Sequence, residues 1–188
     1  MSLDVDVSSN GVRSPLSRER TQEVVQSALR SDKVRNALVS VTFLGKRAMA
    51  RLNKTHLGHS GATDVISFGF TRAVATDPVV GDIYICPDVA RENARARREP
   101  VLREVARLVV HGTLHILGHE HPDEGREKSA MWRKQERLVA SLVILSGEAA
   151  KGSLSRQGSL KALDGKRSFR RSAPQDDSRG RSRQDVKR

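Results

Sequence analysis

Four of the chain's six histidines fall within eleven residues, in the run His111-Gly112-Thr113-Leu114-His115-Ile116-Leu117-Gly118-His119-Glu120-His121. On a helix, residues i and i+4 lie one turn apart on the same face, with Cβ atoms about 5–6 Å apart. His111 and His115 can therefore converge on one ion at the roughly 2.0–2.1 Å of a zinc–nitrogen bond. Gly118 supplies the next requirement. It stops the helix and takes a left-handed conformation without a Cβ penalty, so the chain folds back and brings His121 to a third vertex. Three histidines leave one position open for water or substrate, the pattern of a catalytic and not a closed structural zinc site. The expectation is one Zn2+ per chain on His111, His115 and His121, acting through bound water.

A His-x-x-x-His pair alone would not support this. Arg103, Arg107, His111 and His115 form a spacing-four stripe, and such a stripe is most often a solvated helix face. The glycine three residues after His115 and the histidine six residues after it favour metal binding instead. The spacing matches the metzincin protease helix, His-Glu-x-x-His-x-x-Gly-x-x-His, at every position but one. Where those enzymes place a general-base glutamate, this chain has Gly112, which cannot accept a proton. Peptide hydrolysis by that route is disfavoured.

The elements that must carry these residues alternate between helix and strand. Pro15 and the run Ser17-Arg18-Glu19-Arg20 open a helix to about Leu29, with Val24, Val25, Ala28 and Leu29 on its apolar face. Residues 37–44 have strand composition, ended by Gly45, and residues 46–53 fit a short helix. Val65-Ile66-Ser67-Phe68 and Ile83-Tyr84-Ile85-Cys86 read as short strands. Residues 87–97 are helical, with Asp88 early and arginines late, in keeping with the helix dipole. Pro100 opens a long helix over 101–117, halted at Gly118. A last helix is expected over 123–145. The fold class is α+β, a small mixed sheet packed by helices.

With 188 residues, the chain can hold one ordinary domain with some excess. That domain is expected over residues 15–146, between a flexible leader (1–14) and a disordered basic tail (147–188). The net charge is +12, and residues 147–188 hold 12 Lys and Arg against 5 Asp and Glu. More than half of the excess therefore sits in under a quarter of the chain, so net charge alone does not argue for nucleic acid. The tail is poor in aliphatics and cannot offset its ordering entropy by burial. A single cysteine, Cys86, excludes an internal disulfide framework and reads as a small buried hydrophobe. No apolar run is long enough to span a membrane, and the N-terminus does not read as a secretory signal. Cytoplasmic residence is expected.

The histidine run, as His-Gly-x-Leu-His-Ile-x-Gly-x-Glu-His, resembles the signature of the bacterial YbeY family of zinc-dependent endoribonucleases. Further residues carry the same resemblance: Leu52-Asn53, then Thr63-Asp64-Val65-Ile66-Ser67-Phe68; Gly81-Asp82-Ile83 with Ile85, Pro87, Ala90 and Ala94; and Met131 with Gln135-Glu136. Together they cover residues 37–143. The resemblance implies a three-histidine zinc site, single-stranded RNA as substrate, and a role in rRNA processing (16S rRNA 3′-end maturation) and ribosome quality control. It also implies the ribosome or ribosomal proteins as possible partners; no DNA and no membrane are expected. Two departures stand out. The family arginine four residues after the Asn of Leu-Asn is Leu57 here, and the Tyr-Asp before the last ligand is His119-Glu120.

Candidates to supply charge to the substrate are Arg51, Lys54, His56 and His59, with Thr63, Asp64 and Ser67 positioning substrate or orienting a ligand histidine. His119, Glu120 and His59 are candidates for proton transfer. Asp82 reads more simply as a strand residue. Aromatics are few, and Phe68, Phe70 and Tyr84 are expected in core packing, so RNA affinity would come from the phosphate backbone. Its cations would be Arg51, Lys54, the Arg91-Arg95-Arg97-Arg98 cluster and the tail. The competing readings are a metzincin-like metalloprotease and a non-catalytic, zinc-stabilised ribosome-binding module.

Overall fold

The computed structural model of the chain describes residues 2–74, 76–122 and 124–154, from residue 143 onward as backbone only. Among these the elements run β1 (Leu3–Asn10), α1 (Arg18–Ser31), β2 (Ala37–Leu44), α2 (Lys46–Leu57), β3 (Val65–Gly69), β4 (Val79–Ile85), α3 (Pro87–Arg97), α4 (Val101–Ile116) and α5 (Ala130–Leu154). A 3-10 turn at Arg126–Lys128 precedes α5. One mixed sheet has the order β1-β2-β4-β3. Its first three strands are parallel, and β3 pairs antiparallel to β4 at the edge. This is the mixed sheet packed by helices that the sequence implies.

Residues 1–14, expected as a loose leader, instead hold β1. Leu3, Val5 and Val7 alternate with Asp4, Asp6 and Ser8, and Val5 and Val7 are buried while the acids are exposed. That is the period-two signature of a half-buried strand. Its acidic outer face also discourages pairing of this edge with another chain. The strand expected over 37–44 and the helix over 87–97 have those bounds. Ser17 caps α1 by accepting the Arg20 backbone N–H at 3.1 Å. The last helix begins later than residue 123, because Gly125 adopts φ +66 and Ser129 then caps the new start, accepting the Trp132 N–H at 3.0 Å. It also continues to Leu154, beyond the boundary expected at 147; Glu148, Ala149, Ala150 and Lys151 are good helix formers. The rest of the expected tail lies outside the described residues.

The sheet is covered on both faces. Val39, Val41, Phe43, Ile83 and Ile85 join residues of α1, α4 and α5 in the main core. On the other side Met49 of α2 packs with Ile66 and Cys86, and Cys86 is fully buried as expected. Close approach of α4 to the sheet depends on glycines. Gly69 and Gly81 are register partners across β3 and β4. A Cβ built on Gly81 would lie 2.7 Å from Ile116 side-chain atoms, and one on Gly69 would lie 3.3 Å from the Ile116 backbone. The paired glycines form a notch that seats the last turn of α4 against the edge strand. No described helix is long and apolar enough to cross a membrane.

Candidate metal centre

The end of α4 shows how sequence makes the site. Gly118 adopts φ +83. Its N–H donates to the His115 carbonyl at 2.9 Å, and the His119 N–H donates to the Leu114 carbonyl at 3.0 Å. These two bonds and the left-handed residue make a Schellman termination. The reversal expected from Gly118 is formed, and it returns His121 over the helix face that carries His111 and His115.

The three imidazoles converge. One ligand atom from each of His111, His115 and His121 lies within 4.8 Å of the other two, a group that could hold a metal ion. The Nε2 atoms of His111 and His115 are 3.1 Å apart, and ring centroids are separated by 4.6–5.2 Å. The second nitrogens assign the tautomers. His111 Nδ1 lies 2.8 Å from Gln135 Oε1, and His121 Nδ1 lies 3.0 Å from the Pro122 carbonyl. Both partners are acceptors, so both Nδ1 atoms carry the proton and both Nε2 atoms present lone pairs. His121 Nε2 is buried and has no hydrogen-bond partner among the described residues. A buried acceptor left open beside two others is the donor set a divalent cation satisfies.

Behind His111 a buried polar relay fixes this arrangement. Gln135, 1% exposed, accepts from His111 and donates through Nε2 to Glu136 at 3.2 Å. Glu136 accepts from Arg107 Nε at 2.8 Å, and Arg107 also binds Glu99 at 2.7 Å and the fully buried Glu104. Burial works against the Arg107 cation, but its carboxylate partners raise its pKa overall. Burial likewise opposes ionisation of Glu136, and Arg107 and Gln135 outweigh it, holding the carboxyl below its usual range. The amide of Gln135 therefore cannot flip without losing both partners. Desolvation pushes the His111 pKa down to about 4 and lowers that of His115, with neighbouring histidines adding to both shifts. The two rings are thus neutral, the state a metal ligand needs.

These contacts bear on two readings. The Arg103-Arg107-His111-His115 stripe departs from the solvated face weighed against metal binding, since Arg107 is 5% exposed and faces α5. The second nitrogen of His111 is oriented by Gln135, not by Thr63, Asp64 or Ser67. Asp64 instead organises the loop before β3: it accepts from the Thr63 hydroxyl at 3.1 Å, the Val65 N–H at 2.9 Å and Asn93 at 2.9 Å. Asn53, of the Leu-Asn pair, pins the same loop by donating to the Gly61 carbonyl at 2.9 Å.

An open cleft of about 360 Å³ lies at the histidines, lined by residues including Leu57, Ser67, Gly69, His111, His115 and Glu120. Of the other candidates, Ser67 and Glu120 line it; Arg51, Lys54, His59 and Thr63 do not. Arg51, Lys54 and His59 are exposed, the first two on α2. His56 packs its ring 5.3 Å from Phe68. His119 is turned away, its Nε2 2.7 Å from Asp32 Oδ2, while Lys134 pairs with the same carboxylate. Asp82 accepts from Ser40 across β2 and β4, a structural role. Phe68 and Tyr84 pack edge to face as expected, but Phe70 is 56% exposed. The arginine cluster of α3 divides, with Arg91 paired to Asp88 and Arg97 to Glu104. Sequence reasoning assigned no site role to Gln135, Arg126 or Trp132. The amide's partner lies 24 residues away on another helix, and no local spacing announces it.

Fold and site together define a small mixed-sheet domain with a three-histidine group suited to a divalent ion. A family model described as Endoribonuclease YbeY matches residues 6–143, and the chain belongs to that family. The endoribonuclease YbeY of Bacillus licheniformis is 36% identical over 150 residues, covering 74% of this chain and 94% of its own. That of Frankia alni is 40% identical over 117 residues, 56% of this chain and 63% of its own. For Frankia casuarinae the identity is 39%, with 56% of this chain and 57% of the relative covered. The match thus spans less than two thirds of the length of the two Frankia relatives. Among solved structures, the solution structure of TM1509 from Thermotoga maritima covers 84% of this chain and 99% of its own at TM-score 0.53 and 21% identity, a likeness of fold.

Proposed function

We propose that the protein is a metal-dependent endoribonuclease acting on single-stranded RNA, with zinc on His111, His115 and His121 and ribosomal RNA as its substrate in the cytoplasm. The observation that carries this is the convergence of three imidazole nitrogens, two of them on neutral, half-buried rings, beside an open cleft in a chain of this family. When bound there, zinc would supply Lewis-acid polarisation of a phosphoryl oxygen. The protein's own groups do the rest. The Gln135 relay holds the His111 ring in the ligating tautomer. The Ser67 hydroxyl on β3 donates to a phosphate oxygen, and the exposed carboxylate of Glu120 is the acid–base group lining the cleft. Gly112 offers no proton acceptor, which sets the domain apart from a metzincin-type protease.

The test joins elemental analysis of protein purified without chelators to a cleavage assay on the same sample. About one zinc per chain and cleavage of an unstructured oligoribonucleotide are expected, abolished by chelator, restored by zinc, and lost in His111→Ala. Casein degradation by the zinc-loaded protein, with RNA left intact, would replace this function with a protease. Ribosome co-sedimentation that persists in His115→Ala, without cleavage by the wild type, would favour a binding module instead.

A further inference from the structure

A second cavity, of about 60 Å³, lies on the other side of His111 and shares His111 and Val65 with the open cleft. One water needs roughly 10–15 Å³ on such a measure, so a group of four or five heavy atoms fits. Its charged lining consists of Arg97, Arg107 and Arg126 against Asp64 and Glu104. Arg97 and Arg107 are both committed to Glu104. Asp64 already accepts three hydrogen bonds. Arg126 differs. Its side chain is exposed and its guanidinium carbon sits 5.9 Å from the centre of the Trp132 ring, over its face. That stacking fixes the direction of the cation without neutralising it.

The need for such a cation is visible in the cleft. No lysine or arginine is among its described lining residues, and Leu57 is one of them. A polynucleotide crossing the histidines carries a further phosphate on either side of the one being cut. Passing over His111 and Val65, the strand meets the Arg126 cavity.

We propose that Arg126, held by Trp132, binds the backbone phosphate adjacent to the reacting one, as a substrate-positioning residue. This rests on the endoribonuclease function proposed above. A guanidinium suits the task because its planar fork can engage two phosphate oxygens.

The test is binding of a labelled single-stranded oligoribonucleotide to the zinc-loaded full chain, followed by anisotropy over a range of KCl concentrations. One phosphate contact on a single strand contributes about 0.7 to the slope of log K against log salt. Arg126→Ala is expected to lower the slope by about that amount and to weaken binding severalfold at low salt. Arg126→Lys should keep the slope, and Trp132→Leu should weaken binding without changing it. Arg35→Ala, an exposed arginine on the loop before β2, is the control for general charge. A wild-type slope in Arg126→Ala, or an equal drop in Arg35→Ala, overturns the assignment. Cleavage assays on the same proteins separate the two levels. Wild-type cleavage with no Arg126 dependence in binding leaves the nuclease standing and removes Arg126. Arg126-dependent binding with no cleavage does the reverse.

Discussion

Replacing Gln135 with methionine should separate metal affinity from stability. Methionine is similar in length and flexible, so little packing is lost at this buried position. Two hydrogen bonds disappear, from His111 Nδ1 at 2.8 Å and to Glu136 at 3.2 Å. Glu136 keeps Arg107 Nε at 2.8 Å, so the deficit falls on His111. Without metal the imidazole can move its proton to Nε2, 3.1 Å from His115 Nε2, which accepts it once the His115 proton sits on Nδ1. The metal-free fold then loses only about 1 kcal/mol, the net worth of an ordinary hydrogen bond. With metal bound, the proton must sit on Nδ1, buried and without an acceptor, at a cost of about 1–3 kcal/mol. The expected result is a roughly tenfold to hundredfold loss of zinc affinity. Competition against a chromophoric chelator measures the affinity, and urea unfolding in excess chelator measures the metal-free stability. Zinc affinity within twofold of wild type would refute the relay, as would an equal loss in both measurements.

Other positions make separate demands. Gly112→Ala should cost about 1–3 kcal/mol in urea unfolding through overpacking, because its Cβ would lie 2.8 Å from Ile83 Cγ2. Part of that loss should return in an Ile83→Ala background, whereas strict additivity would exclude this contact as the cause. Gly118→Ala, at φ +83, should cost about 1–2 kcal/mol and weaken zinc binding more than Gly118→Asn, measured by the same chelator competition. The Glu136 carboxyl titrates below its usual range in the folded protein. Its contribution is therefore present above the unfolded pKa of about 4.3 and is lost as pH falls through the lower folded value. Urea midpoints followed from pH 6 to 3 should fall more steeply in wild type than in Glu136→Gln, and parallel curves would show that Arg107 does not favour the ionised form.

The parts of the site legible in the sequence are those set by local geometry. His111 and His115 are one turn apart, and Gly118 marks a termination whose hydrogen bonds follow from a single left-handed residue. What remained hidden depends on residues brought together from a distance. Gln135 meets His111 only because α5 packs along α4, and the sequence shows it as one more polar residue on a helix. Arg107 sits in a stripe that resembles a wet face until Glu99, Glu104 and Glu136 close around it. β1 was legible in principle, since Leu3, Val5 and Val7 alternate with polar residues. Its two acids suggested a polar leader, and only the neighbouring β2 reveals that they face outward. Leu57 shows the converse: the sequence identifies it as a departure, and the structure adds that it lines the cleft.

Gly112 links the packing to the chemistry. Its position on α4 faces β4, and Ile83 fills the space where a side chain would begin. A glutamate there could not swing into the cleft without prying the helix from the sheet, which would move His111 and His115 with it. The same contact that seats the two ligands therefore removes the position from which a metzincin draws its base. Any proton acceptor must come from the cleft wall or from the substrate. Among the described cleft-lining residues Glu120 is the one carboxylate, and it lies next to a ligand on the returning segment after α4. A substrate that carries its own hydroxyl beside the scissile phosphate needs less from the protein than a peptide does. The absence of a side chain at 112 thus supports the proposed RNA substrate over a peptide on grounds of helix packing.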